Sequence, residues 1–376
     1  MKQFLFATAV LMSTIVGVGM FSLSYAGAQS GFLIAAIFLC VLTGIMILVH
    51  LLYGEVVCRT KAKHRLVGYA GHYLGKWGKR IVACSVIIGF YGSLVAYIIV
   101  GGTFLHVVFS FLGNIPTIVF NLIFFIIGAI AIYFGLRLIA ELDFLMSLFL
   151  ILIVFLFLYL GFNQIDVNNF KTINLRYLFI PYGAILYSLA GIAAIPEIRE
   201  IISKNSKVYK TSIIIGTLIP AILYFLFMGT VIGLTGPNTS SESIMGLTGF
   251  LGHKIVFIGS LFGFLACITS FFVLGLSLKN TFYYDFKINK NLSWFLVCFV
   301  PLGLFILGMR SFIPIIILLG AFLGAIEGTS IVLIYRRAKE AGRQISDYNL
   351  KIADFLRYII ILIFISGFIY TLISII

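Results

Sequence analysis

Charge is what this chain has least of. Only 10% of its 376 residues are Asp, Glu, Lys or Arg, too few to cover a soluble globule of that size. No polar stretch is long enough to form a separate soluble domain. Acids are scarcer still: 12 Asp and Glu stand against 26 Lys and Arg. They and the five histidines are scattered over different hydrophobic runs. A membrane-embedded enzyme needs acid, base or metal ligands gathered at one depth, and no such constellation, zinc-type spacing or nucleophile motif occurs. The expectation is therefore no catalytic residue, no enzyme and no resident cofactor. Cysteine is also sparse. Cys40, Cys58, Cys84, Cys267 and Cys298 are odd in number and lie in or at the ends of apolar runs, which argues against a disulfide framework and for small buried hydrophobes.

Hydrophobic residues, at 62%, make up what is left. Runs long enough to cross a hydrocarbon core of about 30 Å recur along the whole length. They give eleven spans: 4–28, 31–57, 81–111, 116–135, 142–162, 177–202, 211–235, 254–279, 291–309, 312–335 and 354–375. All belong to one transmembrane domain whose principal partner is the lipid bilayer.

The formal charge of +14 marks one side of the membrane, not nucleic acid. Lys2, the cluster Arg59, Lys61, Lys63, Arg65, Lys76, Lys79 and Arg80, then Arg137, Lys204, Lys207, Lys210, Lys279, Lys287, Lys290, Arg336, Arg337, Lys339, Arg343 and Lys351 fall in alternate gaps. Only Lys171, Arg176, Lys254 and Arg310 fall in the others. The positive-inside bias then sets a cytoplasmic N-terminus and an outside C-terminus in a multi-pass cell-membrane protein. Ala26-Gly-Ala28 imitates a signal-peptide cleavage site, but the apolar run before it is too long, and paired glycines sit in its middle.

Those glycines carry the functional signal. Ser13-Thr-Ile-Val-Gly-Val-Gly-Met-Phe-Ser22 reads as a span broken at mid-membrane. Unwound backbone in hydrocarbon is tolerable only where it is buried in protein or faces a polar cavity, so the break predicts a polar ligand. Five spans later, Pro181 to Glu197 repeats the pattern, with Gly191 interrupting the sixth span and Pro196 removing a donor just beyond. An odd number of spans per half inverts the second copy. Halves of about 1–162 and 177–335, plus an additional helix at 354–375, follow.

Gly17-Val-Gly-Met-Phe-Ser-Leu-Ser-Tyr-Ala-Gly-Ala-Gln29 resembles the first-helix signature of the amino acid/auxin permease and aromatic amino acid permease branches of the amino acid/polyamine/organocation transporter superfamily. Tyr91-Gly-Ser-Leu-Val-Ala-Tyr97 with Gly101-Gly102 is similar to the third helix, and Ser188-Leu-Ala-Gly-Ile-Ala-Ala-Ile-Pro-Glu197 to the sixth. Gly68-Tyr-Ala-Gly-His-Tyr-Leu-Gly75 is similar to the loop after helix two. The resemblance implies an all-α, leucine-transporter-like five-plus-five inverted repeat that moves amino acids by alternating access, and the charge distribution argues against a nucleic-acid partner. A membrane-embedded enzyme and an amino acid sensor are the alternatives from other classes, and the loops at 58–80 and 336–353 resemble no docking domain. Oligomeric state is not legible.

On that footing, N–H groups from Val16, Gly17, Val18, Gly19 and Met20, with Thr14 beside them, meet the substrate carboxylate at a positive helix end. Carbonyls near Tyr187, Ser188 and Leu189 meet its ammonium. Tyr91, Tyr97, Tyr187, Gly191 and Ile192 shape the side-chain pocket. No acid lies at either break, which favours neutral substrates. Ala266-Cys-Ile-Thr-Ser270 offers two hydroxyls and a carbonyl to a hard cation. It resembles the family's sodium site between helices one and eight, which Ser13 and Val16 carbonyls would complete. Met20 stands where the family's second sodium site has an asparagine, and 142–162 holds no lysine to replace the first sodium. Na⁺ is thus favoured over H⁺. Proton coupling would fall to Glu327, Glu197 or Glu55, the last two near span ends, where pairing with Arg59 or Arg199 is expected.

Overall fold

The computed structural model describes residues 2–61, 64–135, 139–202, 205–341, 349–350 and 352–375. Lys63, Arg137, Lys204, Arg343 and Lys351 lie outside the described residues. So do the side chains of 139–147, and with them the first part of the lysine-free fifth span. The first span is two helices, α1 (Lys2–Ile15) and α2 (Met20–Ser30), bent by 58° at the paired glycines. Then follow α3 (Phe32–Arg59), α4 (Leu66–Val108), α5 (Thr117–Phe134) and α6 (Ile139–Gly161). The sixth span is again two pieces, α7 (Ile180–Ser188) and α8 (Ala194–Ile201). The remainder is α9 (Ser206–Thr235), the single turn α10 (Thr248–Leu251), α11 (His253–Asn280), α12 (Lys290–Ile306), α13 (Phe312–Leu323), α14 (Thr329–Glu340) and α15 (Asp354–Ile375). A π-helical turn, Gly324–Gly328, joins α13 to α14.

Among the described residues, seven helices are long and apolar enough to cross a membrane, in addition to the bent first pair. The chain is thus a multi-pass integral membrane protein. Its helix ends are closed by the ordinary devices. The Asn205 side chain accepts from the Val208 N–H at 3.0 Å to start α9, as N-cap residues do. Gly135, at φ +67°, ends α5 in a left-handed turn.

Lys279, assigned by sequence to a polar gap, is instead buried. Its ammonium donates to Ile132 O at 2.6 Å and Tyr133 O at 3.1 Å, where a cation complements the negative end of α5. The third span also begins fifteen residues earlier than its hydropathy suggests, because Leu66–Val108 is two helices merged across Gly75, whose φ is +77°. The first piece, ending at the kink, is too short to read as membrane-spanning.

Two crossings position the centre of the molecule. His50 of α3 is fully buried, and its Nδ1 lies 3.0 Å from Thr217 Oγ1 of α9. Thr217 donates its own proton to Ile213 O, so the imidazole is the donor. At the second crossing, α7 and α13 touch backbone to backbone: Gly183 faces the Ile317 carbonyl and Gly320 faces the Gly183 carbonyl, with no room for a Cβ on either.

Candidate functional site

The two breaks face each other. A Cβ added to Gly19 would lie 2.9 Å from Ser188 Cα and 2.9 Å from Tyr187 Cδ1, and one added to Gly191 would lie 2.8 Å from Ile15 Cγ1. The 17–19 turn therefore crosses the end of α7, while the 189–193 turn crosses the last turn of α1. Gly19 meets the Ser188 backbone, so a larger residue there would displace α7, whereas Gly191 lies against the Ile15 and Leu11 side chains.

Hydrogen bonding at the first break is lopsided. Carbonyls of Gly17, Val18 and Gly19 accept from the N–H groups of Met20, Phe21 and Ser22 at 3.2, 3.2 and 3.0 Å. The N–H groups of Gly17, Val18 and Gly19 have no partner among the described residues. Val18 and Gly19 are buried and Gly17 is half-buried, so these donors face protein more than lipid. Leaving a buried donor unmade costs roughly 1–3 kcal/mol. Three together at the start of a helix form a site for an anionic group such as a carboxylate.

The opposite polarity gathers at the helix ends. Tyr224 of α9 is fully buried, and its hydroxyl lies 2.7 Å from Ile15 O and 3.0 Å from Ser188 O, the terminal carbonyls of α1 and α7. Around this core, Tyr97 of α4 brings its hydroxyl to within 3.3 Å of where a Gly17 Cβ would be, and Tyr187 donates to Ser93 Oγ at 2.7 Å. Ser188 Oγ is turned back on Ala184 O at 2.7 Å. A 58° bend thus places unpartnered donors and excess acceptors side by side, which suits a zwitterion.

Of the residues singled out by sequence, the structure brings together Val16, Gly17, Val18, Gly19, Met20, Tyr97, Tyr187, Ser188, Gly191 and Ile192. Two fall elsewhere. Thr14 is on the exposed face of α1, and its hydroxyl donates to Val10 O. Tyr91 packs toward Phe282, with ring centroids 6.4 Å apart. Tyr224 gave no sequence signal, being one of nineteen tyrosines in a chain rich in them.

The five candidate sodium ligands come from two parts of the fold. Ser13 and Val16 end α1, which packs on α9, α8 and α6, whereas Ala266, Thr269 and Ser270 belong to α11, which packs on α4, α6, α5 and α12. Thr269 Oγ1 donates to Ala266 O at 3.0 Å. An apolar groove of about 600 Å³ runs along α1 from Lys2 to Ser13 and Val16, walled by Leu148 and Ile151 of α6 and Ile215 and Ile219 of α9.

The three acids differ sharply in their surroundings. Glu55 is buried, pairs with Arg59 at 2.7 Å as expected, and accepts the Leu350 N–H at 2.7 Å. Glu197 pairs at 3.2 Å with Arg65, from the segment before α4, and not with Arg59 or Arg199. Glu327 has neither an ion pair nor a hydrogen bond among the described residues. It sits on the π-helical turn and lines a cavity of about 20 Å³, room for about one water, with Tyr187, Ala190 and Ile192 of the second break. The described residues hold no group of three or more His, Cys, Asp or Glu able to bind a metal ion.

Comparison with known proteins identifies the family and the fold. Residues 1–372 match the tryptophan/tyrosine permease family. "Tyrosine-specific transport system 1" of Haemophilus influenzae is 25% identical over 323 residues, covering 82% of this chain and 78% of that protein. "Glutamine transporter 2" of Aliivibrio fischeri is 24% identical over 309 residues, covering 79% and 80%. The fold is that of MhsT, solved in complex with L-phenylalanine, at a TM-score of 0.65 and 16% identity over 98% of this chain and 97% of that one. A nucleobase-cation-symport-1 family transporter in a closed conformation with bromovinylhydantoin bound gives 0.66 and 13%, over 98% and 91%. The architecture is therefore the leucine-transporter-like inverted repeat.

Proposed function

The chain belongs to the tryptophan/tyrosine permease family, and from that premise we propose that this secondary active amino acid transporter carries neutral amino acids with aromatic or other large apolar side chains, together with a cation. The observation that carries the reading is the pairing of opposite polarities at the two breaks. N–H groups of Gly17, Val18 and Gly19 receive the carboxylate, and the Ser188 end of α7 receives the ammonium. Tyr97, Tyr187, Gly191 and Ile192 border the side chain, and no acid at either break selects a cationic one. One relative is named for tyrosine and another for glutamine, both neutral. The basic gaps favour a cytoplasmic N-terminus, which puts the Lys2 end of α1 on that side. The groove along α1 is then the route from the breaks to the cell interior. Uptake of a mixture of labelled neutral amino acids into proteoliposomes tests the reading, and no uptake or exchange by folded protein would sink it.

The cation has two candidate seats. Na⁺ held by Ser13, Val16, Ala266, Thr269 and Ser270 would tie the first break to α11, so ion binding would favour conformations in which the two are together. Thr269→Ala combined with Ser270→Ala is expected to abolish any Na⁺ enhancement of amino acid affinity, roughly 5- to 150-fold for typical coupling, with folding retained. An unchanged Na⁺ dependence in a calorimetric titration would remove this seat. The second seat, a proton on Glu327, is favoured by its position at the second break without a partner.

A further inference from the structure

The Tyr224 hydroxyl stands between two carbonyl oxygens, at 2.7 Å from Ile15 O and 3.0 Å from Ser188 O. A phenol has one proton to give and lone pairs to receive with. It satisfies one of these carbonyls fully, and the shorter contact assigns that bond to Ile15. Ser188 O keeps acceptor capacity, and the phenol oxygen keeps its lone pairs. Three oxygens with a single hydrogen among them, inside buried protein, create a locally negative point where a cation is favoured and an anion is not. The ligand group with several donors and no acceptor is an ammonium.

We propose that Tyr224 positions the α-ammonium of the substrate. The ammonium donates to Ser188 O and to the Tyr224 oxygen, while Tyr224 donates to Ile15 O, so one hydrogen-bonded chain ties the ligand to the ends of both broken helices. Tyr224 itself is anchored in the continuous helix α9, which gives the two half-helices a common reference that moves with neither break. The proposal rests on the breaks being the amino acid site, and it adds the residue that reads the amino group.

The test is equilibrium binding of labelled L-tyrosine to the purified protein in nanodiscs, with competition by its desamino analogue, 3-(4-hydroxyphenyl)propionate. In Tyr224→Phe, affinity for tyrosine is expected to fall by roughly 10- to 100-fold, the size of a lost hydrogen bond to a charged group, while the inhibition constant of the desamino analogue stays within about twofold. Equal weakening of both ligands would overturn the proposal, because a merely structural tyrosine acts on both alike. So would a Phe variant that binds tyrosine as wild type does. Should the Phe variant fail to fold, Tyr224→Gln, which keeps a donor and an acceptor, is expected to retain preference for tyrosine over the analogue, and loss of that preference would count against the idea. A folded wild-type protein that binds no neutral amino acid would overturn the underlying site and this role with it.

Discussion

Gly19→Leu is expected to abolish uptake of every neutral amino acid, and Gly19→Ala alone to lower it by roughly tenfold or more. Gly19 has φ −56° and ψ −36°, a conformation open to any residue, so backbone strain is not the cause. The cause is space. A Cβ there would lie 2.6 Å from Ser188 Oγ and 2.9 Å from Ser188 Cα. The hydroxyl can turn away, but the α-carbon can move only if α7 moves, at the cost of about 1–3 kcal/mol typical of overpacking. That displacement separates the donors of the first break from the carbonyl of the second. Gly303, where an added Cβ meets nothing within 4 Å, supplies the control, and Gly303→Ala is expected to transport normally. Initial rates of labelled tyrosine uptake, with thermal stability measured in parallel, decide the matter. A fully active Gly19→Ala variant would mean that the breaks do not need to touch.

The second large effect is expected at Glu327. Glu327→Gln should lose accumulation of amino acid driven by a proton gradient while keeping exchange of labelled for unlabelled substrate across the same membrane. A glutamine imitates the protonated carboxyl permanently, so binding and reorientation continue but no proton is carried. The surroundings leave few competitors for this role. On α3 the nearest titratable neighbour is Tyr53, buried and with its hydroxyl unpartnered among the described residues. Tyr187 on α7 is held by Ser93 of α4, and α13 carries no titratable side chain. On α14 Tyr335 donates to Leu350 O. On α15 Arg357 pairs with Asp354 and lies over Tyr335. Wild-type uptake should rise as the outer solution is acidified, and the variant should show no such slope. Glu327→Asp keeps the carboxyl and is expected to keep some accumulation. Equal gradient-driven accumulation by wild type and the Gln variant would exclude Glu327, and dependence on Na⁺ alone would turn attention to Thr269 and Ser270.

Much of the fold was legible because hydrophobic length and glycine punctuation are local properties. The break at Gly17 and Gly19 and the corresponding one at Gly191 were visible as departures from what an uninterrupted helix prefers. The α4 boundary was not, since Leu66 to Leu74 is a short helical piece set by the packing of Leu66, Tyr69 and Ala70 and not by a long hydrophobic run. Pairings were harder still. Glu55 with Arg59 follows from helical spacing, but Glu197 with Arg65 joins two segments remote in sequence, and nothing in either neighbourhood announces the other. Lys279 looked like a loop cation because only the folded molecule brings the end of α5 to it. Tyr224 is the clearest case. Its role depends on two carbonyls, at positions 15 and 188, that become acceptors only because the helices containing them stop.

The glycine crossing of α7 and α13 has a mechanical meaning. Where helices meet through side chains, rotamer changes can absorb small displacements, so two elements can slip past each other before either drags its neighbour. At Gly183 and Gly320 there is no such cushion, and the two backbones behave as parts of one lever. Ser188 lies just beyond one arm of that lever and Glu327 just beyond the other. Any rotation that moves the Ser188 end therefore moves the Glu327 carboxyl in the same stroke, and a substrate and a proton held at the two proposed seats would be timed by rigid geometry in place of a relay of adjusting side chains.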